Sequence, residues 1–249
     1  MFEEHPSVFA PLDNTPLWKY MSFSKFVNLL NGFMYFNRID SFEDVFECHW
    51  PKLNMKYFEL EHKRTGNPPT PFDDIARKLI YVTCFHKSSY ETAFMWKQYS
   101  QEDGLAIQTS LQRLKDSFHL TSNPIYISDV HYIDYNTEPI LNMGNLLSLA
   151  IHKRKSFEFE QELRCIQMLE FMDSNGNLLE EYRRSDDSER MDFEKTPMGI
   201  KVPIDLSLLI EKIYVSPYAP NYIEENLKLL MRKFELDIEI VKSNLYTII

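Results

Sequence analysis

The stretch FEFEQELRCIQ, residues 157–167, sets Glu158, Glu160, Glu162 and Arg164 at every second position, with Phe157, Phe159, Leu163 and Cys165 between them. A period of two is the mark of a β-strand, whose successive side chains point to opposite faces. The segment 158–169 therefore reads as a strand with one charged and one apolar face. On such a strand neighbours two apart lie roughly 7 Å from each other, so three carboxylates repel and Arg164 relieves only part of the repulsion. Two readings of the charged face stay open. It is either solvated outer sheet or the lining of a site that needs carboxylates held close together.

Outward from this segment, short strands and helices alternate irregularly. LWKYMS (17–22) and FMYF (33–36) read as strands flanking SKFVNLLNG (24–32), a helix that Ser22 or Ser24 caps and Gly32 ends. NRIDSFEDVFE (37–47) reads as an ordered loop studded with aromatic rings. Residues 54–64 and 72–79 have helical character, separated by GNPPTP, which breaks both. LIYVTCF (79–85) is apolar on both faces, as a buried strand is, and YETAFMWKQYS (90–100) is helical.

GLAIQT (104–109) and IYISDVHYID (125–134) read as strands, with a helix at 138–153 leading into the charged segment. Asn175-Gly176 marks a tight hairpin turn, and the charge-dense 180–195 is a surface excursion. MGIKVPI, IEKIYVSP and DIEIVKS close the chain as strands, around a helix PNYIEENLKLLMRKF for which Asn221 is the expected N-cap. Strands that follow one another directly favour a single α+β domain over residues 1–249, with a mixed, mostly antiparallel sheet flanked by helices, over a doubly wound parallel one.

Bulk properties narrow the function classes. A net charge of -10 argues against coating nucleic acid by phosphate neutralisation alone, although HKRK at 152–155 is a local basic run that reads as a solvated helix end. The three cysteines, Cys48, Cys84 and Cys165, are far apart and lack CxxC spacing, and the histidines show no HxxxH or HExxH spacing, so neither a disulfide scaffold nor a metal site is indicated. The first ten residues are acidic where a secretory signal is basic, and the apolar runs are too short to span a bilayer, so the expectation is a cytoplasmic chain without a membrane partner.

Besides the charged segment, two blocks carry residues suited to chemistry. In TCFHKSSYETAFMWKQYSQEDGLAI (83–107) a strand ends in Cys84 and Phe85, and the following helix carries Met95, Trp96 and Tyr99 at helical spacing. That stripe is either core or a surface on which a base or nicotinamide ring stacks. In the early block, Lys19 and Tyr20 leave a strand just before a helix start, where a cation and a phenol suit a phosphate or ribose. Asp44 and Glu47 sit in the aromatic loop beside Phe42 and Phe46.

These blocks, taken in order, resemble a broad bacterial and phage family of domains of unknown function across nearly the whole chain. The order of an early basic residue plus Tyr, a middle Cys-aromatic strand and a late Glu-x-Glu strand is more remotely similar to the ADP-ribosyltransferase superfamily. That resemblance implies a split sheet and NAD as substrate. It implies Lys19 and Tyr20 as holders of NAD, with Cys84, Phe85, Trp96 and Tyr99 around the nicotinamide. Glu162 would stabilise the cation formed as nicotinamide leaves, and Glu160 would activate a macromolecular acceptor, or water in a glycohydrolase.

A toxin or phage-defence role comes with the family's company. The pattern departs from the superfamily in having Lys for the usual His or Arg, no Ser-Thr-Ser signature, the additional acid Glu158, and Arg164 placed to neutralise Glu162. Two rivals accompany it. One is a non-catalytic module that binds a protein or nucleotide, and the other a metal-dependent nuclease built on Asp44, Glu160 and Glu162.

Overall fold

The computed structural model describes residues 2–66, 72–100, 102–184 and 191–248. Of the break expected at GNPPTP, Gly66 is left-handed (φ 73°) and ends the preceding helix, while its other residues and part of the charged 180–195 excursion lie outside the described residues. In chain order the elements are β1 (Pro16–Ser22), α1 (Phe23–Leu29), β2 (Phe33–Arg38), α2 (Lys52–Thr65), α3 (Phe72–Leu79), β3 (Ile80–Lys87), α4 (Ala93–Tyr99), β4 (Gly104–Ser110), α5 (Leu111–Ser117) and β5 (Tyr126–Asp129). They continue with β6 (His131–Ile133), α6 (Leu146–Ala150), β7 (His152–Arg154), β8 (Glu162–Met168), β9 (Gly199–Pro203), α7 (Leu206–Leu209), β10 (Lys212–Val215), α8 (Asn221–Lys233) and β11 (Glu239–Lys242).

Strand β3 organises the main sheet. Along one edge it pairs antiparallel with β8 over its length, from Ile80↔Met168 to His86↔Glu162. Its other edge is shared: Tyr81 and Val82 pair with Arg38 and Asn37 of β2, while His86 and Lys87 pair with Trp18 and Leu17 of β1. The sheet therefore splits at β3 into a β2–β9 wing and a β1–β4–β10–β11 wing, with β5 outside β8. All these pairings are antiparallel except β10 with β11. The fold is α+β with a mostly antiparallel sheet, as the direct succession of strands implies.

Alternation along each strand assigns the two faces. Leu17 and Met21 of β1, Tyr81 and Phe85 of β3, and Leu163 and Cys165 of β8 enter the largest core cluster, against apolar residues of α1, α5, α7 and α8. On the opposite face Ile80, Val82 and Ile166 pack under α3 and α6. Trp18 and Tyr20 pack under Met95 and Trp96 of α4 on that same face.

Local chemistry sets several boundaries. Ser22 caps α1 by accepting from the Lys25 amide, and Gly32 takes the left-handed conformation (φ 78°) that ends the turn. The hairpin expected at Asn175-Gly176 is present: the Asp173 amide donates to the Asn177 carbonyl, and Gly176 has φ 82°.

Several expected element boundaries are corrected. The helix expected over 138–153 is confined to Leu146–Ala150, and His152–Arg154 is instead a strand paired in parallel with β6. The strand expected over 125–134 is two strands, because Val130 turns the chain: its amide meets the Glu162 carbonyl and His131 goes on to Ile151. Asn221 is the first helical residue of α8, with Pro220 in the cap position.

The correction with most consequence falls on the opening segment. Lys155–Glu160 is a 3-10 helix, Gln161 is left-handed (φ 42°), and β8 begins only at Glu162. Glu158, Glu160 and Glu162 therefore do not share one strand face, and Glu158 stands exposed. The period-two pattern lost to specific partners that the two buried acids find, Lys153 for both and Arg164 for Glu162.

Candidate functional site

Glu160 and Glu162 come together at the entry to β8 by way of the reversal at Gln161. Both carboxyls reach the ammonium of Lys153, from the middle of β7, at 2.5 Å for Glu160 Oε2 and 3.2 Å for Glu162 Oε1. Glu47 Oε1 is 3.3 Å from the same nitrogen. Behind them Arg164 donates to Glu162 Oε2 at 2.9 Å, to Glu47 Oε1 at 2.9 Å and to the Ala150 carbonyl at 2.7 Å. All five residues are buried, Arg164 completely. Glu47 Oε2 has no hydrogen-bond partner among the described residues.

The charges do not balance: three carboxylates meet two cations. Glu162 and Glu47 each touch both cations, whereas Glu160 touches Lys153 alone and completes its shell with the Tyr99 hydroxyl, which donates to Oε1 at 3.0 Å. The protonation equilibria diverge accordingly. For Glu162, burial works to raise the pKa, but Arg164 and Lys153 overcome it and hold the carboxyl at about 2. For Glu160, burial and the neighbouring Glu162 charge outweigh Lys153, and its pKa lies above the usual carboxylate range. Burial opposes the charge on Lys153 too, but Glu162, Glu47 and Glu160 keep it fully protonated. Two adjacent acids pushed in opposite directions are the arrangement acid–base chemistry uses.

Supporting hydrogen bonds hold this geometry. The Glu162 amide donates to the Tyr132 hydroxyl at 2.9 Å. His86, opposite Glu162 in the register, sits between the Glu160 carbonyl (Nδ1, 2.7 Å) and the Thr92 hydroxyl (Nε2, 3.0 Å). A carbonyl only accepts, so Nδ1 carries the proton and Nε2 accepts from Thr92. Burial lowers the His86 pKa, in keeping with a neutral ring. The Thr92 amide in turn donates to the Tyr20 hydroxyl at 2.9 Å.

Exposed aromatic rings rim the cluster. Phe94 (44% exposed) and Phe159 (50%) meet edge to face at 4.6 Å, and Tyr99 is 41% exposed although its hydroxyl reaches Glu160. Lys153 lies over the Phe157 ring at 4.8 Å. Arg154 lies between Phe46 and Phe157 while gripping both oxygens of Asp44, at 2.6 and 3.0 Å. Cys84, on the same sheet face as His86, keeps partial exposure. Burial and the Glu162 charge push its thiol up to about 12, so at neutral pH it is a thiol and not a nucleophilic thiolate.

The residues singled out from sequence divide into two groups. Glu47, Tyr99, Glu160, Glu162 and Arg164 converge, Asp44 lies beside them on Arg154, and Tyr20 and Cys84 share their sheet face. Lys19 and Phe85 do not: Lys19 projects from the opposite face, donating to Thr83 Oγ1 at 2.7 Å and to the Cys84 carbonyl at 2.9 Å, over the Phe85 ring at 4.9 Å. Burial lowers its pKa. Trp96 is 0% exposed, T-stacked on Tyr20 at 4.9 Å with its indole N–H on Glu91 Oε2, so it is core rather than an open stacking surface. Phe157 and Phe159, expected to face away from the acids, stand at their rim.

Sequence reasoning missed Lys153, which sits inside the run HKRK taken for a solvated helix end. Nothing local marks it, because the short helix Leu146–Ala150 does end just before the run. Asp44 and the two glutamates of the metal-nuclease rival face cations. Among the described residues, no group of three or more His, Cys, Asp or Glu side chains is arranged to hold a metal ion. Also among them, no helix is long and apolar enough to cross a membrane.

No protein-family model matches the chain, and no curated protein matches it. Among solved structures it is similar to Thermus sp. 2.9 DarT in complex with carba-NAD+, at 12% identity and a TM-score of 0.39, covering 93% of this chain and 96% of that one. The same protein in complex with ADP-ribosylated ssDNA matches at 12% identity and TM-score 0.39 (95% and 97% covered), and in complex with NAD+ at 11% and 0.38 (94% and 98%). At these values the likeness is remote.

Proposed function

We propose that this chain cleaves the bond between nicotinamide and ribose in NAD and passes the ADP-ribosyl group to a macromolecular acceptor or to water. The observation that carries the proposal is the pair Glu160 and Glu162 on one ammonium, the second locked as an anion and the first tuned to exchange protons. The support is this chain's own side chains.

The chemistry follows from that pair. As the C1′–N bond breaks, its electron pair goes to the pyridinium nitrogen, nicotinamide leaves neutral, and positive charge develops on the ribose C1′ and ring oxygen. A fixed carboxylate beside that carbon stabilises the charge more in the transition state than in the ground state, as in glycoside cleavage. Glu162 takes this role, because Arg164 and Lys153 keep it ionised. Glu160, in its ionised form, accepts the proton that the acceptor hydroxyl, amine or water loses on attacking C1′. Tyr99 and the exposed Phe94 and Phe159 offer flat surfaces at the rim for the nicotinamide or the acceptor. Incubation with NAD, followed by proton NMR for free nicotinamide, tests the proposal. Release that grows with enzyme concentration supports it, and none under any acceptor condition contradicts it.

A binding module for a protein or nucleotide is the second reading, favoured by the same aromatic rim. It predicts saturable binding of NAD without turnover.

A further inference from the structure

Lys153 shares with Arg164 the task of keeping Glu162 ionised, and among the described residues it is the only group that touches all three carboxyls of the site. Its ammonium lies 2.5 Å from Glu160, 3.2 Å from Glu162 and 3.3 Å from Glu47. Among the described residues it is Glu160's only cationic contact, whereas Glu162 and Glu47 also hold Arg164. Moreover, Lys153 arrives on a different strand from Glu162 and from a different segment from Glu47, so it ties three parts of the chain at one point. An ordinary buried salt bridge pairs one cation with one anion, and this arrangement leaves one carboxyl under-compensated by construction.

We propose that Lys153 is the positioning residue of this site, holding Glu160 and Glu162 on a single ammonium and making Glu160, rather than Glu162 or Glu47, the carboxyl that trades a proton with the acceptor. Every charged or titratable neighbour agrees with that assignment. Arg164, from β8, holds both Glu162 and Glu47, the latter from the loop after β2. Tyr99 from α4 donates to Glu160 itself, and Tyr132 from β6 receives the Glu162 amide. His86 and Cys84 of β3 are neutral beneath them, and Asp44 is closed on Arg154 at the rim. No other cation reaches Glu160 among the described residues. A lysine is suited to this place because a compact ammonium with three donors can serve three acceptors.

The assignment rests on the NAD reading only for what the proton is used for, and its test reads the carboxyl directly. Protein labelled with 13C at the glutamate side-chain carboxyls is titrated, with the Glu160 signal identified by its loss in Glu160→Gln, and nicotinamide release is followed on the same samples. In Lys153→Met the Glu160 midpoint should rise by about 1 pH unit or more, the scale set by losing an adjacent opposite charge. The acid limb of nicotinamide release should rise with it, and Lys153→Arg should restore part of both. Should Lys153→Met not fold, the unmutated protein still decides: the Lys153 side-chain 15N signal must shift at the midpoint of Glu160. An unmoved Glu160 midpoint in folded Lys153→Met, or a Lys153 signal indifferent to the Glu160 titration, overturns the assignment. A shifted midpoint in a protein that never releases nicotinamide upholds Lys153 and removes the NAD reading instead.

Discussion

Glu160 and Glu162 accept hydrogen bonds from one nitrogen, Lys153 Nζ, at 2.5 and 3.2 Å, although the residue between them is left-handed and the two belong to different elements. That relationship gives the two acids opposite thermodynamic signs, and hence opposite mutational signatures. Glu162→Gln leaves Arg164 with a lost anion in a fully buried place and should destabilise the fold by about 3–5 kcal/mol. Glu160→Gln removes an anion that the fold disfavours and should cost less than about 1 kcal/mol, or even stabilise. Urea melts of the two variants at pH 7 check the contrast, and equal losses would contradict it.

The pH dependence of stability separates the same pair. The folded-state pKa of Glu162 is depressed from 4.5 to about 2, so its contribution is present above pH 4.5 and is lost as pH falls toward 2. Glu160, whose folded-state pKa is raised, acts the other way: its ionisation withdraws stability as pH climbs above the ordinary carboxylate value. The stability gap between the unmutated protein and Glu162→Gln should therefore be wide at pH 7 and close between pH 4.5 and 2. Thermal melts across that range measure it.

Activity should follow Glu160. The base must be ionised, so nicotinamide release should fall on acidification with a midpoint above the usual carboxylate range. Tyr99→Phe removes the hydroxyl that donates to Glu160, a bond to a charged acceptor worth about 1.5–3 kcal/mol. It should slow turnover roughly tenfold or more and move this midpoint upward, while leaving the far-UV spectrum unchanged.

Trp96 and Phe159 should exchange the roles their sequence context suggests. Trp96→Ala opens a cavity in a fully buried cluster and should cost about 3–5 kcal/mol. Phe159→Ala, at an exposed rim position, should leave stability within about 0.5 kcal/mol and raise the KM for NAD or acceptor. Denaturant melts and steady-state kinetics on both variants make the comparison.

How much of this was legible in the sequence depended on whether the signal was local. The buried strand LIYVTCF, the helix after Ser22 and the turn at Asn175-Gly176 are set by short-range periodicity, capping and backbone freedom, and they are where the pattern puts them. The acids of the opening segment were recognisable as too crowded for comfort. Their arrangement was not, because it is decided by Lys153 on β7, by Glu47, which reaches Lys153 and Arg164 from across the fold, and by a left-handed glutamine that no pattern of alternation announces.

Lys19 shows the converse. It sits one residue from Tyr20 in sequence, yet strand alternation sends it to the other face. A motif read as a unit was thereby split by the sheet. Trp96 likewise had the right spacing for a stacking surface, and α4 turned it inward onto Tyr20.

The most direct measurement is nicotinamide release from NAD by three proteins in parallel: unmutated, Glu162→Gln and Lys19→Met. The account predicts release by the unmutated protein, a loss of about 100-fold or more in folded Glu162→Gln, and less than about a threefold change in Lys19→Met, whose ammonium lies across the sheet from the site. No release by the unmutated protein, or undiminished release by Glu162→Gln, would contradict it.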